Sequence, residues 1–255
     1  MDSCSSLQPL LKPGLVSAVF QPIVDLSGTC HAVVAVEALA RGPLGTILES
    51  PAALFSLARR CNAVAELDRT CIIAALEDAG RLPDHLDIFL NVHPTTLCQD
   101  FEFPAFLAET AARAGIGPAR LTLEVLEHAR ATECRCKQLR ASLQVIRGYG
   151  VRVAVDDVTG APDDVRRALS LEPDYLKVDA HVVRSSESDL RMRALLHAIA
   201  IQAASAGATV IAEGVEELRD LRAVATAGIA LAQGYLLSRP APVSSFTHLM
   251  QSCSA

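Results

Sequence analysis

Seven short apolar runs recur along this 255-residue chain, and each ends on a polar or charged side chain. They are Val19-Phe20-Gln21, Ala32-Val33-Val34-Ala35-Val36-Glu37, Ile88-Phe89-Leu90-Asn91, Leu121-Thr122-Leu123-Glu124, Val151 to Asp156-Asp157, Tyr175-Leu176-Lys177 and Thr209-Val210-Ile211-Ala212-Glu213. Runs this short, rich in β-branched residues, read as buried strands. Helix-patterned segments lie between them. Met192, Leu195, Leu196, Ile199, Ala200 and Ala203 follow the i, i+3, i+4, i+7 spacing, as do Leu139, Leu143 and Ile146 ahead of Gly148 and Gly150. Ser50-Pro51 marks a helix start running through Leu57, and a second helix spans about Ala65 to Ala79 before Gly80. Strands alternating with helices make a mostly parallel sheet, because each helix must carry the chain back across. The repeat number and length favour an α/β fold of the TIM-like (β/α)8 barrel type over an open sheet. The expected layout is an N-terminal tail over residues 1–14 and one barrel domain over 15–255.

Bulk properties narrow the function. Hydrophobic residues make up 51% and charged residues 20% of the chain, the balance of a globular protein. Charges interrupt every run before it reaches membrane-spanning length, and Met1 to Pro13 lacks the basic start and apolar centre of a secretory signal. A cytoplasmic protein without membrane insertion is expected. A formal net charge of −6 argues against coating a nucleic-acid polymer. The eight cysteines show no paired CxxC spacing and read as free thiols packed as small hydrophobes. No Gly-x-Gly-x-x-Gly or phosphate loop is present, which weakens nucleotide-fold alternatives.

The strand endings carry the chemistry. Glu37, Asn91, Glu124, Asp156, Asp157 and Glu213 are all oxygen donors, and a barrel gathers such residues at the C-terminal mouth of its strands. Carboxylates crowded at one mouth repel one another unless cations intervene. Mg²⁺ or Mn²⁺ suits oxygen donors, while the absence of histidine and cysteine from these positions disfavours zinc. With Asp156 pointing into the mouth, Asp157 belongs to the following turn and reaches a second ion. Two ions about 4 Å apart activate water and stabilise a leaving oxygen in phosphodiester cleavage. Taken singly, these residues have plainer readings: Glu37 a rim salt bridge, Asn91 a turn former, Asp157 a helix cap, Lys177 a snorkelling surface lysine. Glu127 and Glu216, each three residues past a proposed ligand, read as loop anchors or surface groups.

Taken in order, the motifs resemble the EAL domain family of cyclic-di-GMP phosphodiesterases from about Val16 to Pro240. Phe20-Gln21-Pro22-Ile23-Val24-Asp25 precedes Glu37-Ala38-Leu39 with Arg41. Asn91-Val92-His93-Pro94 resembles Asn-x-Ser-Pro, and Leu123-Glu124-Val125-Leu126-Glu127 resembles the Glu-x-x-Glu strand end. The double aspartate Asp156-Asp157, Leu176-Lys177-Val178-Asp179, Ala212-Glu213-Gly214-Val215-Glu216 and Gln233-Gly234-Tyr235 complete the series. The resemblance implies a barrel whose first strand runs antiparallel to the rest. It implies two Mg²⁺ or Mn²⁺ ions held by Glu37, Asn91, Glu124, Asp156 and Asp157, with Glu213 and Gln233 close by. Lys177 would position the attacking water or balance its charge; Gln21, Leu39, Arg41 and Gln233 would contact substrate, Arg41 at a phosphate. Glu37, Lys177, Asp157 and Glu213 form the expected catalytic set, supported from behind by Glu127, Glu216 and Asp179. The implied reaction opens cyclic-di-GMP to linear pGpG.

The chain departs from the family pattern in places. Val158-Thr159-Gly160-Ala161-Pro162-Asp163-Asp164 replaces the usual Phe-Gly-Thr-Gly-Tyr-Ser-Ser, a loop that in the family supports the second metal and part of a homodimer contact. His93 stands where serine is usual, and Arg41-Gly42-Pro43 replaces Arg-Trp. No GGDEF-type cyclase domain or sensor segment precedes the barrel, so a stand-alone protein is expected. The rival function is a catalytically weak or inactive module that binds cyclic-di-GMP or a protein partner.

Overall fold

The computed structural model describes residues 7–12, 14–28, 30–126 and 133–249. Eight strands close into a barrel in sequence order. They are β1 (Ser17–Asp25), β2 (Ala32–Arg41), β3 (Asp87–Val92), β4 (Leu121–Leu126), β5 (Arg152–Val158), β6 (Tyr175–Val178), β7 (Thr209–Ala212) and β8 (Leu231–Ala232). Among the described residues the helices are α1 (Pro51–Arg60), α2 (Val64–Ala79), α3 (Pro94–Gln99), α4 (Phe103–Arg113), α5 (Glu133–Gly148), α6 (Pro162–Leu169), α7 (Ala180–Ser185), α8 (Leu190–Ser205), α9 (Leu218–Thr226) and α10 (Val243–Leu249). β1 pairs antiparallel with both β2 and β8, and every other neighbouring pair is parallel. The expected barrel with a reversed first strand is thus the fold observed. Leu7 and Leu10 are buried, packing in a cluster with Leu54 and Leu57 of α1 and Leu67 of α2.

Alternation along each strand divides its side chains between two environments. Outward residues such as Val36, Ile88, Leu90, Leu123, Val125 and Val153 are buried against helices, where Ile72, Leu76, Leu107, Leu143 and Ile146 meet them. A second apolar cluster joins Val155, Leu176, Val178 and Val210 to Leu196, Ile199 and Ala203 of α8. Inside the barrel, Ile23, Ala35, Phe89, Ala154 and Ile211 form a plug, with Tyr175 and Leu231 against it and Phe89 and Tyr175 in ring contact at 5.1 Å. Buried Thr122 of β4, paired opposite Phe89, holds the matching position.

Three sequence expectations change on folding. β2 and β4 continue past Glu37 and Glu124 to Arg41 and Leu126, so these acids lie within strands and not at their ends. β8 spans two residues, too short to register as an apolar run. Cys61 is disulfide-bonded, a correction to the expectation of eight free thiols, while Cys30 and Cys71 are free. Local CxxC spacing says nothing about pairing between distant cysteines.

Gly234 follows β8 where two segments of backbone nearly touch. A Cβ built there would lie 2.1 Å from the Val215 carbonyl oxygen and 2.3 Å from its nitrogen. The approach is sealed by bonds from Val215 N–H to the Gln233 carbonyl (3.1 Å) and from Leu236 N–H to the Val215 carbonyl (3.0 Å). Gly234→Ala is therefore expected to lower stability by at least about 2 kcal/mol, the scale of core overpacking. Chemical denaturation measures this; an unchanged midpoint would show that the two segments separate freely.

Candidate active site

The site is a ring built on the plug. Two residues toward the mouth from Ala35, Phe89, Thr122, Ala154, Tyr175, Ile211 and Leu231 stand Glu37, Asn91, Glu124, Asp156, Lys177, Glu213 and Gln233; β1, running the other way, supplies Gln21 two residues before Ile23. A period of two keeps each of these on the same inward face as its apolar neighbour. Gln21 and Glu37 are register partners across β1 and β2, as are Asn91 and Glu124 across β3 and β4. Every member of this interior layer is polar.

Lys177 is the hub. It is fully buried, and its Nζ lies 2.8 Å from Glu213 Oε1, 2.9 Å from Glu124 Oε2, 3.2 Å from Glu37 Oε2 and 3.5 Å from Asp156 Oδ1. Burial disfavours the ammonium, but these carboxylates outweigh it and hold the Lys177 pKa well above the ordinary lysine value. Glu37 receives two further bonds: Asn91 Nδ2 donates to Oε1 at 2.8 Å and Gln233 Nε2 to Oε2 at 2.8 Å. Burial pushes Glu37 up, yet Lys177 and the two amides leave it below the ordinary glutamate value.

One ammonium does not neutralise four acids. Burial and the Glu37 charge drive Glu124 well above the ordinary range despite Lys177, and its buried Oε1 has no hydrogen-bond partner among the described residues. Burial likewise pushes Glu213 up to about 8 against the pull of Lys177, with 20% of its side chain still open to water. Asp156, Asp157 and Glu213 offer oxygens within 4.8 Å of one another. The Gln233 Oε1 is also buried and, among the described residues, unpartnered. An excess of hard oxygen donors, two with pKa values raised by burial, is a donor set that fits a hard divalent cation.

Asp157 takes part by an unexpected route. It lies inside β5, where alternation would send it away from Asp156, so the expectation that it belongs to the following turn is corrected. The β5–β6 pairing slips between Val155 and Val158, and Asp157 adopts a left-handed φ of 61°. A bulge with a residue in this conformation re-aims a side chain, which brings consecutive carboxylates to one cluster. Asp157 N–H also donates to Asp156 Oδ1 at 2.9 Å.

The remaining predicted residues fall less centrally. Gln21 Nε2 donates to the Ser238 carbonyl at 3.2 Å. Arg41 Nη1 is turned to the neighbouring Ala40 carbonyl at 2.8 Å. Leu39 lines a cavity of about 480 Å³ that opens beside Glu37, Asn91 and Asp156. Asp179 caps α7 by accepting from His181 N–H at 2.7 Å, and Glu216 pairs with Arg184 at 2.9 Å; both anchor loops. Glu127 lies outside the described residues.

Two groups on this cavity were not assigned roles from sequence. Asp68 of α2 lines it, 1% exposed, with Oδ2 accepting from His93 N–H (3.0 Å) and the Thr96 hydroxyl, and with Oδ1 unpartnered among the described residues. The available signal was an acid on the buried stripe Val64, Asp68, Ile72, Ala75, Ala79 of α2. His93 caps α3, its Nδ1 accepting from Thr95 N–H at 3.1 Å. Burial and then the Arg59 charge lower the His93 pKa.

The comparisons agree with this architecture. The family model described as "EAL domain" matches residues 5–240, and the chain belongs to that family. It is 29% identical to the cyclic di-GMP phosphodiesterase PdeF of Escherichia coli over 66% of this chain and 22% of PdeF. A manganese and cyclic-diGMP complex of Klebsiella pneumoniae BlrP1 superposes with a TM-score of 0.79 at 29% identity, covering 90% of this chain and 57% of BlrP1. The EAL domain of Xanthomonas citri FimX, solved with c-diGMP, shares the fold with a TM-score of 0.82 at 19% identity, covering 94% of this chain and 93% of that one. The chain thus spans about a fifth of PdeF and just over half of BlrP1. Among the described residues no helix is long and apolar enough to cross a membrane.

Asp68 sets a measurable pH dependence. Burial first, only partly offset by the bonds from Thr96 and His93, pushes its pKa up to about 7 from 3.8. Between these values the folded chain keeps a proton that the unfolded chain has released, so stability falls as pH rises through this window and levels above it. From pH 5 to 7 the loss assigned to Asp68 is about 2 kcal/mol. Asp68→Asn holds the Thr96 and His93 bonds through its carbonyl and should flatten the stability curve by that amount relative to wild type. Parallel curves for the two proteins would contradict the buried protonated acid.

Proposed function

We propose that this chain hydrolyses cyclic-di-GMP to linear pGpG with the help of two Mg²⁺ or Mn²⁺ ions. The observation that carries the reading is the excess of buried carboxylates over ammonium groups around Lys177, opening onto a cavity of about 480 Å³. That volume lies within the range of small-molecule sites. The family supports the substrate class, as do PdeF and BlrP1 as named and crystallised relatives.

Glu37, Asn91, Glu124, Asp156 and Asp157 would hold the ions, with Glu213 at the edge of the set. Bound there, divalent cations supply positive charge to the phosphate and make a nearby water acidic. Asn91 and Gln233 fix the two oxygens of Glu37 from opposite partners, so that carboxylate meets a ligand in one orientation. Lys177 holds four acids at a common spacing and lowers the repulsion among them. Glu213, partly open to water, would in its deprotonated form accept the proton of the attacking water. That water forms the new P–O bond as the P–O3′ bond breaks, and the cleaved oxygen takes up a proton. Leu39 lines the adjoining wall, Gln21 would contact substrate from β1, and Arg41 would turn from the Ala40 carbonyl to a phosphate. Asp179 and Glu216 support the loops around the site. Glu37, Lys177, Asp157 and Glu213 are the proposed catalytic set. Residues 15–255 would form the catalytic domain, with Leu7 and Leu10 packed onto its α1 and α2, and would work in the cytoplasm as a homodimer.

The test is incubation of purified protein with cyclic-di-GMP and Mn²⁺, resolving products by chromatography. Linear pGpG should form, stop with chelator, and fall by at least about a hundredfold in Glu37→Ala with the fold retained. Tight binding of cyclic-di-GMP without turnover at saturating Mn²⁺ would instead establish the inactive binding module, for which the altered residues Val158 to Asp164 are the motive.

A further inference from the structure

Serine or threonine at the cap of α3 would satisfy the Thr95 N–H as well as an imidazole does. Histidine at position 93 therefore brings a group that helix capping does not require. With Nδ1 accepting from Thr95 N–H, the neutral ring carries its proton on Nε2. The turn that holds the ring is fixed from behind, since Asp68 accepts from His93 N–H and from the Thr96 hydroxyl. His93 lines the same cavity as Glu37, Asn91 and Asp156. Nδ1 faces its own helix, so the Nε2–H edge is the polar part of the ring left for a ligand. Arg59 of α1, an exposed residue, lines the cavity too. Phe55, Pro51 and Leu39 add apolar wall suited to the face of a planar ring.

This side of the cavity thus sets two hydrogen-bond donors against an apolar wall. Guanine presents two adjacent acceptors, N7 and O6, on one edge, whereas adenine presents N7 and an amino donor. Resting on the functional reading above, we propose that His93 is a specificity-determining residue whose Nε2–H, beside Arg59, donates to the N7/O6 edge of one guanine of the bound dinucleotide. An adenine there would oppose its amino group to a donor and leave one donor unpaired, which is the arrangement that discriminates strongly between ligands.

Two substitutions separate this role from capping. His93→Ser keeps an N-cap oxygen and removes the ring donor; His93→Gln keeps an N–H donor at the side-chain end and gives a poor cap. Binding of cyclic-di-GMP and cyclic-di-AMP to the full chain is measured by calorimetry in chelator, alongside thermal melting. His93→Ser should melt close to wild type, bind cyclic-di-GMP about tenfold more weakly, and lose a similar factor of preference over cyclic-di-AMP. His93→Gln should melt lower while recovering much of the affinity and preference. If His93→Ser binds both ligands as wild type does, or if affinity follows melting temperature in both variants, the ring only caps the helix and the proposal is overturned. If wild type itself fails to bind cyclic-di-GMP, the functional reading falls and this inference with it.

Discussion

A single ammonium buried among four carboxylates governs the interior of this barrel. Lys177 lies within 3.5 Å of Glu37, Glu124, Asp156 and Glu213, at a depth where each uncompensated charge is costly. The acids share one cation, and burial raises the pKa of Glu124 and Glu213 so that each holds its proton more tightly than a free glutamate does. That balance leaves the layer short of positive charge whenever it is deprotonated. Taking up divalent cations is the response that this shortage favours, and the orphaned Glu124 and Gln233 oxygens mark where donors wait.

The barrel can hold such a layer because the layer below is dry. Phe89, Ile23, Ala35, Ala154 and Ile211 fill the interior and exclude water from beneath the charged ring, while outward-facing Val36, Leu90, Val153 and Leu176 bind the strands to the helices. Both faces of the sheet are thereby committed, as parallel sheets generally require. Only the mouth is free for chemistry. Asp157 is the exception to regular alternation, and the slipped pairing with its left-handed φ of 61° places a strained backbone where the acids converge.

Much of this was legible in the sequence. The apolar runs fixed seven of the strands, and their polar members are the ones that line the interior. The strand–helix alternation yielded the barrel, and the motif series yielded the reversed first strand and the family. What the runs leave open is where a strand stops: Glu37 and Glu124 close apolar runs, yet they are inward positions of strands that continue. Hydrophobicity cannot tell an end from a continuation, because the residues after Glu37 and Glu124 alternate back to apolar surroundings. Two-residue β8 carried too little pattern to be seen. Asp68 escaped because its role comes from tertiary contact with His93 and Thr96, 25 and 28 residues away. Asp179 and Glu216 lie near the site in sequence but spend their side chains on α7 and on Arg184.

The shortage of positive charge around Lys177 is tested most directly by counting protons. Calorimetric titration of Mn²⁺ into metal-free protein at pH 7, repeated in buffers of different ionisation enthalpy, gives the number of protons released on binding. With Glu124 held well above its ordinary range and Glu213 pushed up to about 8, between about one and two protons should leave as the site fills. Mn²⁺ binding with no proton release, or no binding at all, would contradict the view that the buried acids await a cation.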